Sequence, residues 1–183
     1  MQNSKNSDYS GLKELIDIEV MKNYNTAIVE KALYEIGKPL KFIDFGAGIG
    51  TLDLIFRDKY KLNPLCIEID PANISYLRKR GLAYVSSLDE AGFDYDAIFS
   101  SNVLEHIQDD TKILREMKVC LKSKGLIYLY LPANMILWSE IDKLVGHYRR
   151  YNISDIKKKC NRAGLKILKI HYSDCLGYLV TLL

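Results

Sequence analysis

Phe42-Ile43-Asp44-Phe45-Gly46-Ala47-Gly48-Ile49-Gly50 carries the densest chemistry in the chain. An apolar run meets an acid, three glycines alternate with small or apolar residues, and a helix-forming segment follows from Thr51. Glycines so spaced let the backbone approach a ligand closely, and the helix start behind them offers free N–H groups to an anion. The dinucleotide fingerprint asks for a third glycine three residues after the second, but counted from Gly48 that position is Thr51. Two acids follow the next apolar run. A carboxylate at Glu68, eighteen residues beyond Gly50, can accept both hydroxyls of a ribose whose other end lies on the glycine loop. Asp70 precedes Pro71 and is placed to cap a helix. Further on stands Asn102-Val103-Leu104-Glu105-His106. An imidazole titrates near neutrality, so His106 is a candidate general base; a structural histidine of the turn is the other reading.

The elements that must position these groups follow from the periodicity. Ile28, Val29, Ala32, Leu33 and Ile36 recur at helical spacing, which predicts an amphipathic helix over 21–36 closed by Gly37. Strands are expected at 41–45, 65–69, 82–85, 96–100, 126–131 and 165–172. Helices are expected at 51–60, from Pro71 to Gly81, for one turn at 88–91, and from about Asp110 to a stop at Gly125. Residues 133–151 read as irregular. Asn152 with Asp155 resembles a capping box opening a helix that Gly164 closes. Strands alternating with helices predict an α/β, Rossmann-like, doubly wound fold: a mostly parallel sheet with helices on both faces. Its ligand crevice lies at the carboxyl ends of the central strands, where residues 46–50, Glu68, Ser86-Ser87, Asn102 and Ala133-Asn134 converge.

Composition narrows the classes. The 183 residues, 48% of them apolar, suit one domain with a sizeable core. Within it, 1–37 reads as an N-terminal helical cap, 38–135 as a cofactor-binding core and 136–183 as a substrate-side segment. A formal charge of +3 with dispersed lysines does not argue for nucleic acid. Cys66, Cys120, Cys160 and Cys175 have no paired spacing, which fits reduced thiols in the cytoplasm. Residues 1–10 lack the apolar core of a signal peptide. No stretch reaches the ~18 apolar residues of a transmembrane helix.

The pattern D-x-G-x-G-x-G at Asp44–Gly50 resembles motif I of the class I S-adenosylmethionine methyltransferases. Glu68-Ile69-Asp70-Pro71 aligns with that family's acidic-x-Ser/Asp-Pro pattern, and Ser100-Ser101-Asn102-Val103-Leu104-Glu105-His106 is similar to the segment after strand four in its ubiquinone-pathway O-methyltransferases. Gly146-His147-Tyr148-Arg149-Arg150-Tyr151 resembles a segment of a largely bacterial subgroup. The resemblance runs from about Lys22 to Gly177. It implies S-adenosyl-L-methionine as cofactor, with Asp44, Gly46, Ala47, Gly48 and Gly50 forming the loop, Glu68 on the ribose and Ile69 on the adenine face. Asn102 and Val103 would line the methionine side, and Tyr24 would lie near it or serve as core packing. The family's adenine-binding Asp is replaced here by Ser86-Ser87, so Ser87 or a backbone carbonyl takes that hydrogen bond. His147, Tyr148, Arg149 and Arg150 would close over an anionic substrate; alternatively the arginines clamp the structure by pairing acids such as Asp142 or Asp155.

Methyl transfer to a small or lipid-linked metabolite is the expected activity, with no metal assigned. The alternatives are a cofactor-binding domain or partner-dependent fragment without turnover and, less favoured, an NAD-dependent oxidoreductase. The family fold ends on an antiparallel seventh strand, for which the eleven residues after Tyr172 are too few. The expectation is therefore an open sheet edge, through truncation or an imperfect replacement. Leu176, Leu179, Val180 and Leu183 would cover it or join two copies in a homodimer.

Overall fold

The computed structural model describes residues 12–173. In chain order the elements are α1 (Leu12–Glu19), α2 (Lys22–Ile36), β1 (Phe42–Phe45), α3 (Thr51–Tyr60), β2 (Leu65–Ile67), α4 (Pro71–Lys79), β3 (Tyr84–Val85), α5 (Leu88–Ala91), β4 (Tyr95–Ser101), α6 (Asp110–Cys120), β5 (Leu121–Tyr130), α7 (Glu140–Leu144) and α8 (Ile153–Arg162). Two compact units result, 12–101 with 120–129, and 102–119 with 130–173.

The first unit holds the sheet, in the order β3-β2-β1-β4-β5. β1 pairs in parallel with β2 on one side and β4 on the other, and β2 pairs in parallel with β3. Gly125 lies beside Tyr95, and Tyr128 stacks on Phe99, so β5 runs the same way as β4. The order reverses between β1 and β4, the switch point of a doubly wound α/β sheet. Strands buried on both faces read as continuous apolar runs, and Phe42, Ile43, Ala97, Ile98 and Phe99 are all buried. Phe56 of α3 meets Phe42 and Phe99 edge-on at 5.2 and 5.3 Å between centroids, which locks that helix onto β1 and β4.

The second unit is built on α6, α7 and α8. Asp155 accepts from the Asn152 N–H, one half of the expected capping box on α8. Tyr151 bridges to Ala133, donating its N–H to the Pro132 carbonyl and accepting from the Asn134 N–H.

Three expectations change. The helix expected to reach Gly125 ends at Cys120, because Gly125 belongs to β5. A Cβ there would sit 3.0 Å from the Tyr95 carbonyl oxygen, so this glycine marks close strand approach and not a helix stop. The segment 133–151 is not wholly irregular: it contains a 3₁₀ turn, Met135–Leu137, and α7. The sixth strand at 165–172 is absent. Its alternation breaks where exposed Leu168 and Lys169 adjoin, so no single apolar face is presented to a sheet. Cys175, Leu176, Leu179, Val180 and Leu183, and with them the seventh-strand and homodimer expectations, lie outside the described residues. Among the described residues no helix is long and apolar enough to cross a membrane.

Candidate functional site

In the first unit the glycine loop leaves β1 and enters α3 through Gly50, which takes φ +81° as the helix N-cap. A side chain there would strike Leu82 and come within 2.8 Å of Leu77, so the third glycine is required by conformation and by packing together. Gly46 and Ala47 both donate N–H bonds to the Ile67 carbonyl, anchoring the loop to the end of β2. Glu68 then reaches across: its Oε2 accepts from the Gly48 N–H at 2.8 Å, and its Oε1 from the N–H groups of Ile69 and Asp70 at 2.7 and 2.9 Å. A carboxylate offers about four lone-pair sites, so these three bonds leave room for a ligand hydroxyl. Beside it Ile69 is 78% exposed, an apolar face with no protein cover. Asp70 caps α4 through the Ala72 N–H, as its place before Pro71 predicts.

Beneath the loop, burial raises the Asp44 carboxyl well above the ordinary carboxylate range, helped by the nearby Asp53 and Glu68 charges. Asp53 is fully buried, and neither of its oxygens meets a hydrogen-bond donor. Burial lifts it to about 6, against the opposing pull of Cys66, Asp44 and Arg80. Ser87 caps α5, its hydroxyl accepting from the Glu90 N–H at 3.2 Å and keeping a second lone pair for a ligand donor. Tyr24 lies on α2 and is partly exposed.

The second unit carries the remaining predicted residues. Asn102 has φ +53° and donates its N–H to the Tyr130 carbonyl; Val103 caps the 3₁₀ turn Leu104–His106. Both arginines of the basic aromatic segment form clamps. Arg150 holds Asp142 through Nε and Nη2 at 2.8 and 3.0 Å. Arg149 donates to Asp110 at 2.8 Å and to the carbonyls of Ile107 and Gln108. Asp110 also accepts from Tyr151 at 2.9 Å and Lys159 at 2.7 Å. Burial alone would raise both acids. The Arg150, Ser139 and His147 donors instead hold Asp142 far below the usual range, and Lys159, Tyr151 and Arg149 lower Asp110. Tyr148 is 56% exposed and donates its backbone N–H to the Glu105 carbonyl. His147 shares its Nδ1 proton with Asp142 at 2.8 Å and meets the His106 ring edge-on at 4.5 Å between centroids. Desolvation, then the His147 charge, lowers His106 to about 4.

Several contributors lie outside the predicted set. Arg80 ties the loop to α1, donating to the Ile49 carbonyl at 2.8 Å and pairing with Glu19. The Leu15 side chain lies over the loop, 3.2 Å from where a Cβ on Gly48 would stand. Glu105 is completely buried. Arg80 and Leu15 leave no local signature, because their contacts join residues far apart in sequence. Asp142 carried one: a Ser139-x-x-Asp142 box five residues before His147.

The comparisons agree with this architecture. The tRNA U34 carboxymethyltransferase of Campylobacter jejuni (strain RM1221) is 25% identical over 178 residues, covering 86% of this chain and 57% of its own. The chain thus spans little more than half the length of the curated relatives it matches. Among solved structures, an O-methyltransferase family protein from Burkholderia thailandensis superposes with a TM-score of 0.68 at 14% identity, over 91% of this chain and 57% of its own. Haemonchus contortus phosphoethanolamine N-methyltransferase 2, solved in complex with S-adenosyl-L-methionine, gives 0.61 at 20% identity, over 78% of this chain and 36% of its own. Both share the class I methyltransferase fold seen here. The family described as "Methyltransferase domain" is matched over residues 18–170, and the chain belongs to it.

Proposed function

We propose that this chain is an S-adenosyl-L-methionine-dependent methyltransferase. The observation that carries the reading is Glu68, a carboxylate at the end of β2 bonded to the Gly48 N–H of the loop, with exposed Ile69 beside it. A ribose diol bonds the carboxylate, and adenine covers Ile69. Methyl transfer from a sulfonium is an in-line displacement: the acceptor lone pair forms the new bond to carbon, and the old C–S pair returns to sulfur as a neutral thioether. Positioning dominates such a step, and a base is needed only for an acceptor that must lose a proton, a task for which His106 is the candidate. A cytoplasmic location fits the buried thiols of Cys66 and Cys160, neither of them in a disulfide.

The acceptor we favour is a small or lipid-linked metabolite met by the exposed ring of Tyr148. A second reading, an RNA acceptor, is favoured by the 25% identity to a tRNA-modifying enzyme. Calorimetry tests the cofactor. Glu68→Ala removes charge-assisted bonds worth about 1.5–3 kcal/mol each, so affinity for S-adenosyl-L-methionine falls at least about tenfold while NAD gives no stabilisation of either protein. Unchanged affinity in a folded Glu68→Ala protein refutes the ribose assignment. Stabilisation by NAD alone would restore the oxidoreductase reading, and cofactor binding without methyl transfer to any acceptor would favour a binding domain.

A further inference from the structure

Glu105 sits at 0% exposure, with neither carboxylate oxygen in a hydrogen bond. The His147 ring stands beside it, with Nε2 3.9 Å from Glu105 Oε1, beyond hydrogen-bond reach. The other ring nitrogen, Nδ1, is committed to Asp142, an acceptor-only carboxylate. In the neutral ring that bond places the proton on Nδ1 and leaves Nε2 as the nitrogen able to act as a ligand. Asp142 is itself held by both Arg150 nitrogens and the Ser139 N–H, so the ring cannot turn away without breaking the clamp. The nearest guanidinium is therefore occupied elsewhere. His106 completes the group: one ligand atom each from Glu105, His106 and His147 lies within 4.8 Å of the others. A buried carboxylate without a hydrogen-bond partner, beside the half-buried His147 and the exposed His106, is an arrangement a cation stabilises.

We propose that Glu105, His106 and His147 form a binding site for a divalent transition-metal ion, with Asp142 as the carboxylate that orients His147. Two imidazoles and one carboxylate suit zinc, which binds such ligands at about 2.0–2.2 Å and takes four in a tetrahedron. Ligand atoms on that tetrahedron stand about 3.4 Å apart, so small side-chain rotations close the site. Three protein ligands leave one position for water or an oxygen-bearing small molecule. With the metal bound, His106 is a ligand and not a base; the site is tested without cofactor and without turnover.

Untagged protein, stripped with a chelator, is titrated with Zn²⁺ by calorimetry and with Co²⁺ by visible spectroscopy. One equivalent of Zn²⁺ binds, and Co²⁺ develops the d–d bands of a four-coordinate site. Glu105→Gln and His147→Asn each weaken Zn²⁺ binding at least tenfold, Asp142→Asn by about 10–100-fold, and His171→Ala leaves it unchanged. X-ray absorption at the zinc edge of the wild type finds two imidazoles in the coordination shell, which holds the proposal to account even where a variant does not fold. No stoichiometric uptake by the wild type, a shell without imidazole, or equal affinity in folded Glu105→Gln and His147→Asn proteins overturns it.

Discussion

Asp53 is the residue whose cost to the fold is plainest. Three positions past Gly50, it is shut in beside Asp44 from β1 and Cys66 from β2, and the Arg80 charge beyond α4 offsets part of the cost of its burial. An acid raised from 3.8 to about 6 binds a proton in the folded state more readily than in the unfolded chain. Stability therefore falls as pH rises from about 4 through about 6, and the full penalty is present above that window. Asp53→Asn removes the buried charge. It is expected to stabilise the protein by about 1–3 kcal/mol near pH 7.5, with the gain shrinking toward pH 4.5. Denaturant titration at the two pH values measures this. A variant no more stable than wild type at pH 7.5, or a gain independent of pH, contradicts the raised carboxyl.

At the scale of elements, the segment from Gly146 to Tyr151 acts as a strap locked at two buried acids. Removing Arg149 leaves Asp110 with Lys159, Tyr151 and the longer bond from the Thr111 hydroxyl. A buried acid that loses one of several partners forfeits less than the ~3–5 kcal/mol of a lone broken pair. Arg149→Met is thus expected to cost on the order of 2 kcal/mol, lowering Tm by about 4–8 °C for a chain of this size. Thermal melts read it, beside KM for whichever acceptor is found. Unchanged Tm with a raised KM would move Arg149 from clamp to substrate contact. Much of this scale was legible from the sequence: the Asp70-Pro71 cap, the Asn152/Asp155 box and the strand–glycine–helix sequence at Gly46, Gly48 and Gly50 are local patterns, and they form where expected. The failures share a cause. Gly125 reads as a helix stop but is a site of strand contact, and 165–172 has strand-like composition without a partner. Both depend on neighbours distant in sequence. The same holds within the site, where Glu105 sits inside a matched motif yet only its burial and missing donors mark it out.

The whole molecule bears on the acceptor. A formal charge of +3 spread over 183 residues is slight beside the basic stripe that RNA recognition needs, since each neutralised phosphate takes a lysine or arginine. The two arginines best placed by sequence to serve a phosphate, Arg149 and Arg150, are turned onto Asp110 and Asp142 and carry little free charge. Glu30, Asp58 and Asp96 likewise pair Lys59, Arg57 and Lys122 on the surface. The chain is therefore expected to bind tRNA no more tightly than a non-specific ligand, with Kd of about 10⁻⁴–10⁻⁶ M at physiological salt. Fluorescence anisotropy with labelled tRNA, repeated across a salt series with and without S-adenosylhomocysteine, gives the value. Submicromolar binding with a steep salt slope, together with transfer of a labelled methyl group into the RNA, would displace the small-metabolite acceptor and make the likeness to the tRNA-modifying relatives functional. Weak association at physiological salt, with no methyl transfer into the RNA, would leave the acceptor among small molecules, where a paired, nearly neutral surface has no electrostatic disadvantage.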